Sequence, residues 1–220
     1  MPETFTRRGR YGPRLFPPSP PGGRLVYTIV GMDRETTDEA LMLRYRDGDA
    51  AAFETLYQRH RGGLYRYFLR QTGERGRAEE LFQDVWMNLI HARQRYQPSA
   101  KFATYLYRLA HNRLIDDYRS RRGRVPVSFD DPDCPGEEAL PDPRGAEPAR
   151  ELERREQAER LLAALGTLPE AQREAFLMHE EGGLTLEQIA GATGVGFETV
   201  KSRLRYAVAR LRRELGDRDG

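Results

Sequence analysis

One cysteine, Cys134, occurs in 220 residues. The chain therefore cannot close an internal disulfide, and no Cys/His cluster has the spacing of a zinc site. A reducing compartment is expected. Long apolar runs are also missing. The longest near the N-terminus, Leu25-Val26-Tyr27-Thr28-Ile29-Val30, is too short and mixed for a signal-peptide core, and nothing approaches the ~20 residues needed to cross a bilayer. These absences predict a cytoplasmic protein. Nor is there a bulk excess of one charge: Lys plus Arg number 36 against 34 for Asp plus Glu, so the net charge of +2 does not announce a nucleic-acid partner. Cys134, His91 and His111 lack metal-ligand spacing. Asp130, Asp131 and Asp133 lack an acid/base arrangement on an ordered element. Neither a metal, a cofactor nor a catalytic group is expected, and the chain is not read as an enzyme.

What is present is helical periodicity in two blocks. Residues 1–37 are read as a flexible tail, because Pro17 to Gly23 reads Pro-Pro-Ser-Pro-Pro-Gly-Gly and buries little. Met32 is an alternative translation start to Met1. Thr36 and Glu39 have the spacing of a capping box, which predicts the first helix just beyond. Residues 38–122 carry four helical stretches, broken at Asp47-Gly48-Asp49, Gly73 to Gly76 and Gln97-Pro98-Ser99. Their apolar residues recur at helical spacing: Phe53, Leu56, Tyr57, Leu64 and Phe68; then Ala78, Leu81, Phe82, Val85, Trp86, Leu89 and Ile90; then Phe102, Tyr105, Leu106, Leu109, Ala110, Leu114 and Tyr118. Between 123 and 149 the periodicity gives way to prolines, glycines and seven carboxylates, the composition of an acidic linker. Residues 150–215 return to helix, with Pro169 opening one of them, and 216–220 form a short tail. The fold class expected is all-α, with two small helical domains joined by a flexible acidic linker.

The most specific motif runs from Thr185 to Leu204 and reads as a helix-turn-helix in the C-terminal domain. Thr185 and Gln188 have capping-box spacing, Ala190 permits close helix contact, Gly194 supplies the turn, and Val200 returns to the core. In the second helix Val200, Leu204, Val208, Leu211 and Leu215 form the expected buried stripe. Lys201, Arg205 and Arg212 fall on an exposed one beside it. A recognition helix places its first residues on base edges and its cations on phosphates, so Thr199, Lys201, Ser202, Arg203 and Arg205 are the candidate DNA contacts.

Two stretches narrow the class of DNA-binding protein. Ala78-Glu79-Glu80-Leu81-Phe82-Gln83-Asp84-Val85-Trp86 resembles the segment with which bacterial sigma factors dock on core RNA polymerase. Phe102 to Arg119 looks like the sigma segment that melts and reads the minus-ten element. Leu168-Pro169-Glu170 with Arg173, Gly183-Leu184-Thr185, and Thr199 to Leu204 are similar to the minus-thirty-five domain. The order and spacing over about Asp38 to Leu215 are those of the small, extracytoplasmic-function (ECF) sigma factors. The resemblance departs at Tyr105, where the family often has Trp, and at Glu198, where it often has a small residue.

The resemblance implies promoter recognition and melting, with 38–122 as the polymerase- and minus-ten-binding domain and 150–215 as the minus-thirty-five domain. Core RNA polymerase and promoter DNA are the implied partners, with an anti-sigma factor as a third by family habit. Glu79, Glu80, Gln83 and Asp84 lie on the polar side of their helix, where they can meet arginines of a partner helix. Lys101, Tyr107, Arg108, His111, Asn112, Arg113 and Arg119 are assigned to the minus-ten strand. Tyr107, Arg108, His111 and Asn112 are expected to face away from the Leu106/Leu109 core stripe, offering a stacking surface, cations and an amide to an unpaired base. The alternative is a helix-turn-helix operator-binding regulator that acts without polymerase docking. It would need a sensor or dimerisation domain where the docking and melting patterns stand.

Overall fold

The computed structural model describes residues 36–121 and 148–216, with side chains in the second stretch described from residue 157. The expected acidic linker and nearly all of the expected N-terminal tail lie outside these residues.

Four α-helices follow in the first stretch, as the periodicity predicts: α1 Asp38–Arg46, α2 Ala50–Thr72, α3 Arg75–Ala92 and α4 Phe102–Arg121, with a 3-10 turn at Arg93–Arg95 after α3. The first cap differs from expectation by one residue. Thr37, not Thr36, is the N-cap, its hydroxyl accepting from the Ala40 amide at 3.3 Å. Glu39 is then one position too early to reach back and complete a capping box. Its carboxylate instead accepts the Phe102 amide at 2.7 Å and so satisfies a free N–H at the start of α4. Asp49 caps α2 by accepting from Ala51 and Ala52. Gly73, at φ 69°, ends α2 in the left-handed conformation that glycine adopts without steric penalty.

The apolar faces of α1 to α4 converge on Leu56, Leu64, Phe68, Leu81, Val85, Leu89, Phe102 and Leu106, all essentially inaccessible. Each contributes roughly 1.5–3 kcal/mol by leaving water. Trp86 packs against Tyr57 and Phe53, with ring centroids 5.0 and 5.8 Å away. Polar ties add register. Asp38 receives Arg59 and His60 of α2, each at 2.7 Å. Buried Arg77 of α3 pairs with Asp117 of α4.

The second stretch holds α5 Pro148–Gly166, α6 Glu170–Glu180, α7 Leu186–Thr193 and α8 Phe197–Gly216. Pro169 stands at the N-cap of α6, one position before the first helical residue, where its missing N–H is equally harmless. The Thr185/Gln188 capping box forms in both directions, at 3.3 and 2.8 Å, a device whose loss costs about 1 kcal/mol. Gly194, at φ 72°, turns the chain from α7 into α8.

These helices do not stand apart from the first four. α6 packs on α2 and α7 on α4, so that the described helices share one continuous apolar cluster.

Candidate nucleic-acid interface

On α8 the buried residues are Val200, Ala207 and Leu211. Leu204 and Val208 are only half-buried and Leu215 is exposed, which corrects the expected stripe. Ala207 is fully buried in their place, and Leu204 and Val208 are left part-exposed. With Leu186 they line a shallow groove that also carries Lys201, Arg205 and Arg212. The exposed surface at the start of α8 contains Glu198, Thr199, Lys201, Arg205 and Tyr206, whereas Ser202 and Arg203 are half-buried. Lys201 leans toward Glu198 at 3.4 Å, and the Arg205 guanidinium lies 4.9 Å from the centre of the Tyr206 ring. Tyr206, 55% exposed, is a member of this surface that sequence reasoning missed. Its position four residues after Ser202 would have revealed it on a helical projection. A helix N-terminus with cations, hydroxyls and an aromatic ring facing solvent can meet both phosphates and base edges.

On α3, Glu80 and Gln83 are exposed, while Glu79 and Asp84 are half-buried. Glu79 pairs with Arg75 one turn earlier at 3.1 Å, and Asp84 accepts from Arg113 of α4 at 2.6 Å. The open part of the face is therefore Glu80 and Gln83, extended one turn further by Met87, which is 42% exposed. Met87 carries no signal in an apolar count, since it looks like one more core residue. Only its angular position sets it apart.

The α4 residues divide. Lys101, Arg108, Asn112 and Arg119 are exposed, and Arg119 has only a loose contact with Asp116 at 3.9 Å. Arg113 is half-buried and tied to Asp84. Tyr107, expected to face outward, is instead buried at 2% exposure. It packs edge-on against Tyr67, with centroids 5.3 Å apart, and burial drives its hydroxyl pKa far above the ordinary value. The reason is tertiary: the ring lies against Tyr67 of α2, and the turn after α6 closes over it, where a Cβ at Gly182 would stand 2.8 Å from the Tyr107 ring. The same packing engages its neighbours. Arg108 donates to the Gly191 carbonyl at 3.0 Å, and His111 Nδ1 lies 2.7 Å from Glu174 Oε1. Tyr67 donates to the same carboxylate oxygen at 3.0 Å. Tyr105, beside the core, is half-buried and 5.2 Å from the Tyr96 ring.

Among the described residues no group of three or more His, Cys, Asp or Glu could hold a metal ion, and no helix is long and apolar enough to cross a membrane.

Residues 56–124 match the family described as Sigma-70 region 2, and residues 158–211 match Sigma-70, region 4. The ECF RNA polymerase sigma factor RpoE of Cereibacter sphaeroides is 33% identical over 178 residues, which cover 80% of this chain and 93% of that protein. Among solved structures, CnrH in complex with the cytosolic domain of CnrY superposes with a TM-score of 0.60 at 22% identity, covering 83% of this chain and 99% of that one. The sigma factor RpoE of Bartonella quintana, in complex with the anti-sigma factor NepR, superposes with a TM-score of 0.57 at 20% identity, covering 74% and 96%. At these identities the two structures bear on the fold.

Proposed function

The chain belongs to the ECF sigma factors and serves RNA polymerase in transcription initiation; from that premise we propose how its residues divide the work. Helices α1 to α4 bind core polymerase and the minus-ten strand, and α5 to α8 bind the minus-thirty-five duplex. The action is recognition and strand separation without a catalytic group, in the cytoplasm. On α3 the docking residues are Glu80 and Gln83 with Met87 beside them, while Glu79 pairs with Arg75 within the same helix and Asp84 ties it to Arg113 of α4. On α4 the amide of Asn112 is the polar reader of an extruded base, flanked by Lys101, Arg108, His111, Arg113 and Arg119. On α8, Thr199, Lys201 and Arg205 meet DNA first, with Ser202 and Arg203 deeper in the interface. An anti-sigma factor is a further partner, by analogy with the Bartonella protein.

The observation that carries this division is the pair of open surfaces: a carboxylate and amide face on α3, and a cationic N-terminal face on α8 behind a fully formed helix-turn-helix. An operator-binding regulator would use the second and leave the first without a purpose. Runoff transcription with purified core polymerase is the direct test, joined to permanganate footprinting of the Asn112→Ala variant. Asn112 is exposed, so the variant should fold and bind core polymerase normally, yet open promoters poorly or with altered minus-ten preference. Parental melting by Asn112→Ala would remove Asn112 from the reading surface. Absence of any promoter-directed transcript from the parent would defeat the assignment as a whole.

A further inference from the structure

Helix α4 begins against the usual rules. Lys101 precedes its first residue, and the Lys101 carbonyl accepts the first helical hydrogen bond, from the Tyr105 amide at 3.2 Å. That is the position at which Ser, Thr, Asp or Asn normally supplies a side-chain oxygen to the unsatisfied N–H groups of the first turn. Lysine has no acceptor to offer. It also sets a cation at the positive end of the helix dipole, and no Asp or Glu stands in the first turn of α4 to offset it. A local rule broken twice at one residue marks a position that something other than folding has decided.

The missing acceptor comes from α1. Glu39 Oε1 accepts the Phe102 amide at 2.7 Å and brings a negative charge to the same helix end. The neighbouring Asp38 holds α1 itself in place through Arg59 and His60 of α2. At the other end of α1, the Arg46 carbonyl accepts from Gln94 Nε2 at 2.9 Å, and the Arg93 guanidinium lies 5.7 Å from the centre of the Tyr45 ring. Helix α1 thus grips the chain on both sides of the segment 97–101. Every residue of that segment is exposed, whereas Tyr96 before it and Phe102 after it are buried, with ring centroids 6.4 Å apart. The segment is an exposed arch on two buried feet, and the second foot is capped by one carboxylate.

We propose that Glu39 is a positioning residue for promoter reading: by capping α4 from α1 it fixes the arch 97–101 and leaves the Lys101 side chain to the minus-ten strand. The proposal rests on the assignment of Lys101 and the exposed side of α4 to that strand. Were the cap on the arch itself, residue 101 would have to be Ser, Thr, Asp or Asn, with its side chain turned to the amides of Ala103 or Thr104 rather than to DNA. Moving the acceptor to α1 separates the two tasks. Glu39 acts on base preference through the backbone, because a frayed first turn would let the arch and Lys101 sample several positions where a base edge demands one.

Holoenzyme assembled from the full-length chain and purified core polymerase is presented with a randomised pool of DNA single strands, and sequencing of the retained strands gives the base preference at each position. Glu39→Ala should reduce that preference at one or more positions by about fivefold, the lower end of what one base contact supplies. Glu39→Gln keeps an acceptor oxygen in the same place and should restore most of it. Glu54→Ala, which removes an exposed carboxylate that accepts from Gln58 on its own helix, should change nothing. Core polymerase affinity by isothermal titration should be parental in all three, which a misfolded chain would not give. Hydrogen exchange at the Phe102 amide reports the cap directly and should be fast in Glu39→Ala alone. Should Glu39→Ala lose helix content, Gln94→Ala, which loosens the first foot of the arch, replaces it with the same expectation for base preference. Parental preference in Glu39→Ala, or in Gln94→Ala where it stands in, overturns the positioning role. So does a loss in Glu39→Gln equal to that in Glu39→Ala, since the cap would then not be what matters. A parent holoenzyme that retains strands without any base preference would instead count against the minus-ten assignment, and the proposal would fall with it.

Discussion

Glu198 offers a sharp view of how the α8 surface meets DNA. It stands in the first turn, 78% exposed, with its carboxylate 3.4 Å from Lys201 Nζ. Two effects follow from replacing it by glutamine. The protein loses an exposed ion pair, worth about 0–1 kcal/mol, and a favourable charge at a helix N-terminus, worth about 0.3–1 kcal/mol, so folding should weaken by less than about 2 kcal/mol. Binding should strengthen. A carboxylate about 8 Å from one phosphate in water repels it by roughly 0.5 kcal/mol, and with neighbouring phosphates by roughly 1 kcal/mol, which is about a two- to fivefold gain in affinity when removed. Lys201, no longer shared, becomes available to a phosphate and should steepen the salt dependence of log K by about 0.9. Anisotropy titration of Glu198→Gln on a minus-thirty-five duplex between 50 and 200 mM salt, on the order used for such slopes, measures both quantities. Tighter binding with a steeper slope is the expected outcome. Weaker binding with an unchanged slope would refute the reasoning, because it would mean that Glu198 accepts from a cytosine amine and reads a base directly.

Two further outcomes are expected. Gln83→Ala with Met87→Ala should weaken core polymerase binding with helix content intact, since both side chains are exposed on α3; isothermal titration that shows parental affinity would return this face to plain solvated surface. Burial pushes the Asp38 carboxyl pKa up, but hydrogen bonds and charge from His60 and Arg59 outweigh it and leave the group below the ordinary carboxylate range. A lowered folded-state pKa contributes stability that is present above the unfolded value, near 3.8, and is lost as pH falls through the folded one. Asp38→Asn should therefore be less stable than the parent at pH 7, with the difference shrinking below about pH 4 in urea titrations; a difference that stays constant on acidification would count against the linkage.

Much of the fold was legible because helical periodicity is a local property. The breaks at Asp47-Gly48-Asp49 and Gln97-Pro98-Ser99 and the Thr185/Gln188 box with Gly194 depend on residues within one turn of each other, and the structure forms all of them. The first cap slipped by one residue because Thr36 and Thr37 are equivalent in composition. The choice went to Thr37, and Glu39 was left to satisfy the Phe102 amide, a partner 63 residues away that no local pattern can announce. Met87 and Tyr206 stand in neither the expected core stripes nor the candidate contacts, and their exposure follows from their angles on α3 and α8.

By itself the sequence determined the all-helical class, the helix-turn-helix, the cationic face of α8 and the family, since each rests on residue types at short spacing. Tertiary structure alone decided which of those faces are free. Tyr107, expected to face outward, is buried against Tyr67 of α2, and Arg108 and His111 acquire partners in Gly191 and Glu174 from the far end of the chain. The physical reason is that a helix face carries no mark of what will cover it. Occlusion arises from the meeting of two surfaces, as at Gly63 of α2, where a Cβ would stand 2.4 Å from the Glu181 carbonyl oxygen across the contact.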